Sequence, residues 1–279
     1  MYRIGFDIGG TKIECCVLSP DNKILFRARR PTETVYNEVN ELLTLALQET
    51  GVKEYTVGIG APGSISKATG LLKNSNIEFL NGTDFLGTLE RQLQLPVRLA
   101  NDSQCFALAE SCLGAAADFD VVLGIILGTG VGGGLVINKK LHAGHHGIAS
   151  EWGHVDLDPS NQIHCRCGRT GCVETWLSGT GIQQWGNQLL DKNLTAAECL
   201  QNDSVQSVFL SHLGQALANI IQIVDPDCIV VGGGVSNSDI IYSHGPEYIS
   251  KFLFNDILSI PVLSAKLGDS AGSIGAALL

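Results

Sequence analysis

The sequence predicts an α/β fold assembled from two related halves, and three observations predict it. Short apolar strands alternate with segments of helical spacing, one strand–glycine-turn–strand unit occurs twice, and a glycine run follows the end of a buried strand. The two units are Gly5-Phe6-Asp7-Ile8-Gly9-Gly10-Thr11 and Gly124-Ile125-Ile126-Leu127-Gly128-Thr129-Gly130, aligned at a constant offset. Each half then offers a glycine turn to one ligand. The match is a few residues long and such turns are common, so the pattern alone leaves duplication and coincidence both open.

Taken in order, Tyr2 to Ile8 reads as a strand, Gly9-Gly10-Thr11 as a turn and Ile13 to Leu18 as the returning strand, with Ile24 to Arg30 a third. Apolar residues at Val39, Leu42, Leu43, Ala46 and Leu47 predict a helix over 35–49. Tyr55 to Gly60 is a strand that runs into the loop Ala61-Pro62-Gly63, 83–93 is a helix, and Val97 to Ala100 is a short strand feeding a helix over 103–113. The pattern restarts with strands at Val121 to Leu127 and Gly134 to Asn138. A strongly apolar helix over 207–224, a strand at Cys228 to Val231 and a small-residue helix over 270–279 complete the chain.

The chain of 279 residues is 44% hydrophobic, enough for one large or two medium domains. A net charge of −10 and a single short basic run, Arg27-Ala28-Arg29-Arg30, argue against nucleic acid as a partner. No apolar run approaches the roughly 20 residues of a membrane span, and the chain enters its first strand with no secretory signal pattern, so no membrane partner is expected. Nine cysteines without such a signal point to a reducing cytoplasm. Cys15, Cys16, Cys105, Cys112, Cys199 and Cys228 sit among apolar neighbours and read as small buried hydrophobes.

Five motifs carry chemistry. In Asp7-Ile8-Gly9-Gly10-Thr11-Lys12, glycine lets backbone N–H groups approach phosphate oxygens, Asp7 could hold Mg²⁺ and Thr11 and Lys12 add donors. The alternative is a plain hairpin, since this is not the G-x4-G-K-[ST] loop. Gly128, Thr129, Gly130 and Gly132 form a denser version, whose glycine content favours close approach to a ligand; Gly232-Gly233-Gly234 follows a buried strand, where adenine could pack on bare backbone or the chain could simply turn. Asn101-Asp102 lies between a strand and a helix, so Asp102 either caps that helix or serves as a general base toward a hydroxyl attacking a γ-phosphate. The fifth motif is the most specific: Cys165, Cys167 and Cys172 make a C-x-C-x4-C knuckle suited to tetrahedral zinc, with His154 or His164 as fourth ligand. Glu151 and Glu174 bracket it, and carboxylates there could receive sugar hydroxyls. His142, His145 and His146 read as solvated loop residues.

Together these segments resemble the ROK family of sugar kinases and repressors. The resemblance rests on Asp7 to Lys12, Gly60-Ala61-Pro62-Gly63, Asn101-Asp102, Leu127 to Gly132, Glu151-Trp152-Gly153-His154, Cys165 to Gly168 with Gly171 to Glu174, and Val231 to Gly234, in that order along essentially the whole chain. It implies a two-lobed actin/hexokinase-like (ribonuclease H-like) fold with ATP and sugar in a cleft between the lobes. The implied N-terminal lobe is 1–113, with the C-terminal helix 266–279 returning to it, and the C-terminal lobe is 114–265. The resemblance implies Asp102 as catalytic base on the sugar 6-hydroxyl. It assigns sugar hydroxyls to Asn101, Glu151, His154 and Glu174, with Gly63, Ser64 and Asn76 at the edge. It selects His154 over His164 as the ligand that joins Cys165, Cys167 and Cys172 around a structural Zn²⁺, and a homodimer is the family expectation.

The repressor branch is disfavoured because the chain starts at the phosphate loop. Pro62 to Ser66, Lys73 to Asn76 with Leu80-Asn81-Gly82, and Ala265 to Ser270 resemble bacterial fructokinases. Asn101 to Leu108 and Gly130 to Gly134 resemble N-acetylglucosamine kinase. The expected reaction is therefore Mg²⁺-assisted, ATP-dependent phosphorylation of a hexose, with fructose first, N-acetylglucosamine second and glucose or mannose third. A non-catalytic sugar sensor is the remote alternative. Ser150 stands where most kinases of the group carry glycine, and it is expected to narrow the pocket beside Glu151.

Overall fold

The computed structural model describes residues 1–159, 162–255 and 257–279. Strands β1 (Tyr2–Ile8), β2 (Lys12–Leu18) and β3 (Ile24–Pro31) lead into helix α1 (Tyr36–Thr50) and strand β4 (Tyr55–Ala61). A small hairpin of β5 (Ser64–Ile65) and β6 (Leu72–Lys73) precedes α2 (Phe85–Leu93), β7 (Val97–Asn101) and α3 (Asp102–Leu113). Next come β8 (Val121–Leu127), β9 (Val131–Ile137) and β10 (Lys140–Leu141), then α4 (Val173–Leu177), α5 (Gly179–Leu190), α6 (Ala196–Cys199) and the long α7 (Asp203–Val224). The chain closes with β11 (Cys228–Gly232), α8 (Ile240–Ser243), α9 (Gly245–Ser250), β12 (Val262–Ser264) and α10 (Ala271–Leu278).

Two five-stranded sheets result, with orders β3-β2-β1-β4-β7 and β10-β9-β8-β11-β12. Numbered within its own sheet, each runs third, second, first, fourth, fifth. In the first, β1–β2 and β2–β3 pair antiparallel while β1–β4 and β4–β7 pair parallel. In the second, β9–β10 is antiparallel and β8–β11 and β11–β12 are parallel. The repeated glycine unit therefore belongs to a repeated topology.

By contact, the chain divides into two compact units: Met1–Ala117, Gly134–Ala149 and Lys266–Leu279 in one, Asp118–Gly133 and Ser150–Ala265 in the other. This differs from the expected boundaries, which put 114–117 and 134–149 in the C-terminal lobe. The reason is packing on α3. The Lys139 ammonium donates to the carbonyls of Ser111 at 2.9 Å and Ala117 at 2.7 Å, and a side chain at Gly134 would strike Ala107 and Gln104.

The first core gathers Ile4, Phe6 and Ile8 of β1, Ile59 of β4 and Val39, Leu42 and Ala46 of α1. Helix α10 lies at backbone distance over this sheet, because β-carbons at Gly5 and Gly58 would collide with the carbonyls of Ser273 and Ala276. The second core centres on Ile125 and Leu127 of β8 and on Phe209, Leu213 and Leu217 of α7. Each of these large side chains contributes about 1.5–3 kcal/mol on burial. Helix α7 starts earlier than its apolar pattern suggests, because Asn202 caps it and accepts from the Ser204 N–H at 3.0 Å. At 22 residues it is long and apolar enough to cross a membrane, contrary to the sequence expectation, but its apolar face is buried in this core.

Candidate active site

The first glycine turn is a tight hairpin. The Gly9 N–H donates to the Lys12 carbonyl at 2.9 Å, and the Thr32 hydroxyl donates to the Gly9 carbonyl at 2.7 Å. Gly10, Thr11 and Lys12 are exposed, and no atom lies within 4 Å of where a β-carbon on Gly10 would be. Lys12 faces Asp269 at 3.7 Å, both well exposed. Such a surface pair contributes about 0–1 kcal/mol and gives way readily to a stronger anion.

Asp7, next to last in β1, lies opposite Glu14 of β2 and Gly60 of β4. Burial, reinforced by the carboxylates of Asp102 and Glu14, pushes its carboxyl up to about 7 against the pull of Lys12 and Arg29. A carboxyl so crowded by like charge suits a cation, and Mg²⁺ fits that need. Gly272, in the first turn of α10, crowds the same group: its β-carbon would lie 2.5 Å from the Asp7 carboxylate. The sequence offered no signal for this neighbour, which comes from the far end of the chain.

At the β7–α3 junction the cap is Asn101, not Asp102. The Asn101 side-chain oxygen accepts from the Ser103 N–H at 3.0 Å, and Gln104 reaches back to the Asn101 N–H at 3.2 Å, completing a capping box. Asp102 is thereby the first helical residue, and its Oδ1 accepts from the Ser103 N–H at 2.8 Å. Burial raises the Asp102 carboxyl above the usual carboxylate range, and the hydrogen bond from Ser103 opposes that rise. The Asn101 amide also donates to the Gly63 carbonyl at 3.3 Å. Gly63 has φ +95°, and a side chain there would collide with the Lys73 carbonyl. Ser64 starts β5 half-buried, and Asn76 is exposed. Asn81 pins the loop between them, accepting from the Ser75 N–H and donating to the Ser75 carbonyl, each at 2.9 Å.

The second glycine turn is crowded by protein. A β-carbon on Gly130 would lie 2.7 Å from Glu174 Oε2, and one on Gly233 (φ +89°) would collide with the Leu127 carbonyl. Gly128 and Thr129 are braced through their carbonyls by Gly179 N–H at 2.7 Å and the Thr180 hydroxyl at 2.8 Å. Gly132 accepts the Trp152 indole N–H at 2.8 Å, which seats the turn Trp152–His154 on β9. Glycine density here thus reflects close packing of protein on protein at Gly130 and Gly233, rather than ligand approach at every position. Gly232 ends β11, and Gly234 faces open space.

The knuckle closes around one point. The ligand atoms of His154, Cys165, Cys167 and Cys172 all lie within 4.8 Å of one another. His154 Nδ1 is 3.4 Å from Cys165 Sγ, and Cys167 Sγ is 3.5 Å from Cys172 Sγ. Tetrahedral zinc with its usual bond lengths gives edges of about 3.5 Å for N···S and about 3.8 Å for S···S, so three thiols and an imidazole fit that ion. Left-handed glycines, Gly168 at φ +86° and Gly171 at φ +73°, turn the loop. Desolvation pushes the Cys167 thiol up, but hydrogen bonds from Arg169, with Cys165 and Cys172, outweigh it and bring it down to about 6. Exposed His164 pairs its backbone with Thr170 and lies outside the cluster. Glu151 precedes the Trp152–His154 turn, and its carbonyl accepts from the His154 N–H at 3.2 Å. Glu174 spans knuckle and turn: Oε1 lies 3.4 Å from Cys165 Sγ, and Oε2 accepts from the Val131 N–H at 3.0 Å.

Comparison with known proteins is consistent along the whole chain. The model of the ROK family matches residues 3–279. An N-acetyl-D-glucosamine kinase from Histophilus somni is 36% identical over 297 residues, covering 99% of this chain and 97% of that protein. Among solved structures, a ROK hexokinase from Thermus thermophilus aligns with a TM-score of 0.88 at 28% identity, covering 100% of this chain and 97% of the other. A ROK family glucokinase from Streptomyces griseus, in complex with glucose and AMPPNP, aligns at 0.78 and 28%, covering 99% and 98%. The fold is accordingly the α/β, two-lobed actin/hexokinase-like one.

Proposed function

The chain belongs to the ROK family and is a sugar kinase, and from that premise we propose that it transfers the γ-phosphoryl group of ATP to the 6-hydroxyl of N-acetyl-D-glucosamine. The observation that carries this choice of sugar is the identity of about a third, over nearly the full length, with kinases of that named activity. Fructose, first by the loop motifs, becomes the second reading; Pro62 to Ser66 and Ala265 to Ser270 still favour it.

In this reading Asp102 is the general base. Its carboxylate takes the hydroxyl proton as the oxygen attacks phosphorus. Desolvation makes it a stronger base, and the hydrogen bond from Ser103 with the cap at Asn101 holds it in place. Asn101, Glu151, His154 and Glu174 hold sugar hydroxyls, with Gly63, Ser64 and Asn76 at the edge. Gly9, Gly10, Thr11, Lys12, Gly128, Thr129, Gly130 and Gly132 receive the phosphates of ATP, and Gly232, Gly233 and Gly234 the adenosine. Mg²⁺, held by Asp7, would supply charge neutralisation on the phosphates. Zn²⁺, held by His154, Cys165, Cys167 and Cys172, would supply rigidity to the loop that carries His154. With so little covalent chemistry to perform, the residues act mainly by position and charge. ATP supply and nine free thiols both suit a reducing cytoplasm.

A coupled ADP-release screen across N-acetylglucosamine, fructose, mannose, glucose and N-acetylmannosamine tests this. The highest kcat/KM is expected with N-acetylglucosamine. A higher value with fructose would reinstate the fructokinase reading, and no sugar-dependent ADP release would remove the kinase.

A further inference from the structure

Three hydrogen bonds reach the second glycine turn from one short stretch of chain, and that stretch begins at a knuckle cysteine. Cys172 is the residue on which α4 starts, and Ser178 passes the chain directly from α4 into α5. From this stretch, Gly179 N–H donates to the Gly128 carbonyl at 2.7 Å and the Thr180 hydroxyl donates to the Thr129 carbonyl at 2.8 Å. Glu174 Oε2 accepts from the Val131 N–H at 3.0 Å, while its Oε1 stands 3.4 Å from Cys165 Sγ. The turn's own hairpin contributes the bond from Gly128 N–H to the Gly130 carbonyl at 3.0 Å.

Peptide planarity gives these contacts a consequence. In a trans peptide the carbonyl of one residue and the N–H of the next point in opposite directions, and no cis bond occurs among the described residues. Tying the Gly128 and Thr129 carbonyls to the start of α5 therefore aims the N–H groups of Thr129 and Gly130 away from that helix. Those are the donors that would meet phosphate in the reading above, on which this inference rests.

We infer that Thr180 is a positioning residue for the nucleotide turn, and that the Cys172–Thr180 stretch couples the metal cage to that turn, so that zinc and nucleotide each strengthen the other's binding. A cage without its ion lacks the metal bonds at Cys172 and Cys165 and keeps only weak contacts among its sulfur and nitrogen atoms. The bracing of residues 128–131 then loosens at its base, and amide donors that were held in place must be ordered by the nucleotide itself. Linkage requires the effect to run equally in reverse, so bound nucleotide slows the loss of zinc to a chelator.

The test uses the full chain as zinc-loaded protein, with AMPPNP as the probe, titrated by calorimetry. Thr180→Val keeps the shape and removes the hydroxyl. It is expected to weaken AMPPNP binding and raise the KM for ATP by about 2- to 10-fold, the contribution of one net hydrogen bond, with kcat and sugar KM unchanged. Thr180→Ser is expected to restore both. Stripping zinc from the wild type is expected to weaken AMPPNP binding about fivefold or more, and the factor shrinks in Thr180→Val. The coupling is overturned if Thr180→Val binds AMPPNP like the wild type. It is equally overturned if stripped wild type, still folded by circular dichroism, binds AMPPNP as tightly as the loaded form. Should stripping unfold the protein, the reverse effect decides: AMPPNP is expected to slow the loss of zinc from the loaded wild type to a chelator, and an unchanged rate overturns the coupling. Loaded wild type that binds no AMPPNP would instead remove the nucleotide reading, and the coupling with it.

Discussion

The two glycine turns look alike in sequence and differ in how they are held. Gly9-Gly10-Thr11 is closed by its own hairpin bond and by Thr32 on the neighbouring edge, and Gly10 has open space around it. Gly128-Thr129-Gly130 is gripped from outside, by Glu174, Gly179 and Thr180, and Gly233 packs against its entry. A glycine can be needed because a ligand comes close or because another part of the protein already has. The first turn keeps the former option at Gly10, whereas at Gly130 the space is taken by a carboxylate of the same chain.

The largest expected effect bears on neither turn's glycines but on Asp102, the proposed base. Asp102→Asn should lower kcat by about 10²–10⁴-fold, while calorimetry still detects sugar binding; near-normal turnover would remove the base assignment. Because burial raises the Asp102 carboxyl, the acid limb of the kcat–pH profile should fall at higher pH than for an ordinary carboxylate, the base being lost as pH drops through that raised value. Next comes metal content. His154→Ala should release zinc, read by elemental analysis, and His164→Ala should retain it, since His154 lies in the cluster of ligand atoms and His164 does not. The opposite result would exchange the two histidines.

The direct test of the comparison pairs Gly130→Ala with Gly10→Ala. The added methyl at Gly130 meets Glu174 Oε2 at 2.7 Å and should destabilise the protein by about 1–3 kcal/mol and raise the KM for ATP. At Gly10 it meets nothing, and stability should change by no more than about 0.5 kcal/mol in thermal denaturation. Equal effects would mean that the two turns are held alike. A small effect of the opposite sign is expected at Ser150, which carries φ +71°, a left-handed conformation. A non-glycine residue there costs about 1–2 kcal/mol, and glycine returns about 0.5–1 kcal/mol of that through its larger unfolded-state entropy. Ser150→Gly should thus raise the melting temperature by about 1–3 °C. A glycine at this position would relieve the backbone, quite apart from the width of any pocket.

Much of this could be read along the chain, because the relevant signals are local. The strand Tyr2–Ile8 and the strand Val121–Leu127 occur where the apolar pattern puts them, and the C-x-C-x4-C spacing brings three thiols together through turns that Gly168 and Gly171 permit. The misreadings have a common cause. Gly134–Ala149 was expected with its neighbours in sequence, and its place was decided by Lys139 and Gly134 meeting α3. Helix α5 opens on Gly-Thr-Gly, and local propensity gives no reason to begin a helix there.

By itself, then, the sequence determined the α/β alternation, the paired strand–glycine units, the three clustered thiols of the knuckle and the membership in a sugar-kinase family. The tertiary structure alone decided what each polar group is engaged with. It made Asn101 the cap and freed Asp102, set Lys12 against Asp269, brought Gly272 to Asp7 and stretched Glu174 from Cys165 to Val131. The physical reason is separation. Local spacing constrains neighbours three or four residues apart, whereas Val131 and Glu174 lie 43 residues apart and Thr129 and Thr180 lie 51. Contacts of that range exist only once the packed core has brought the segments together.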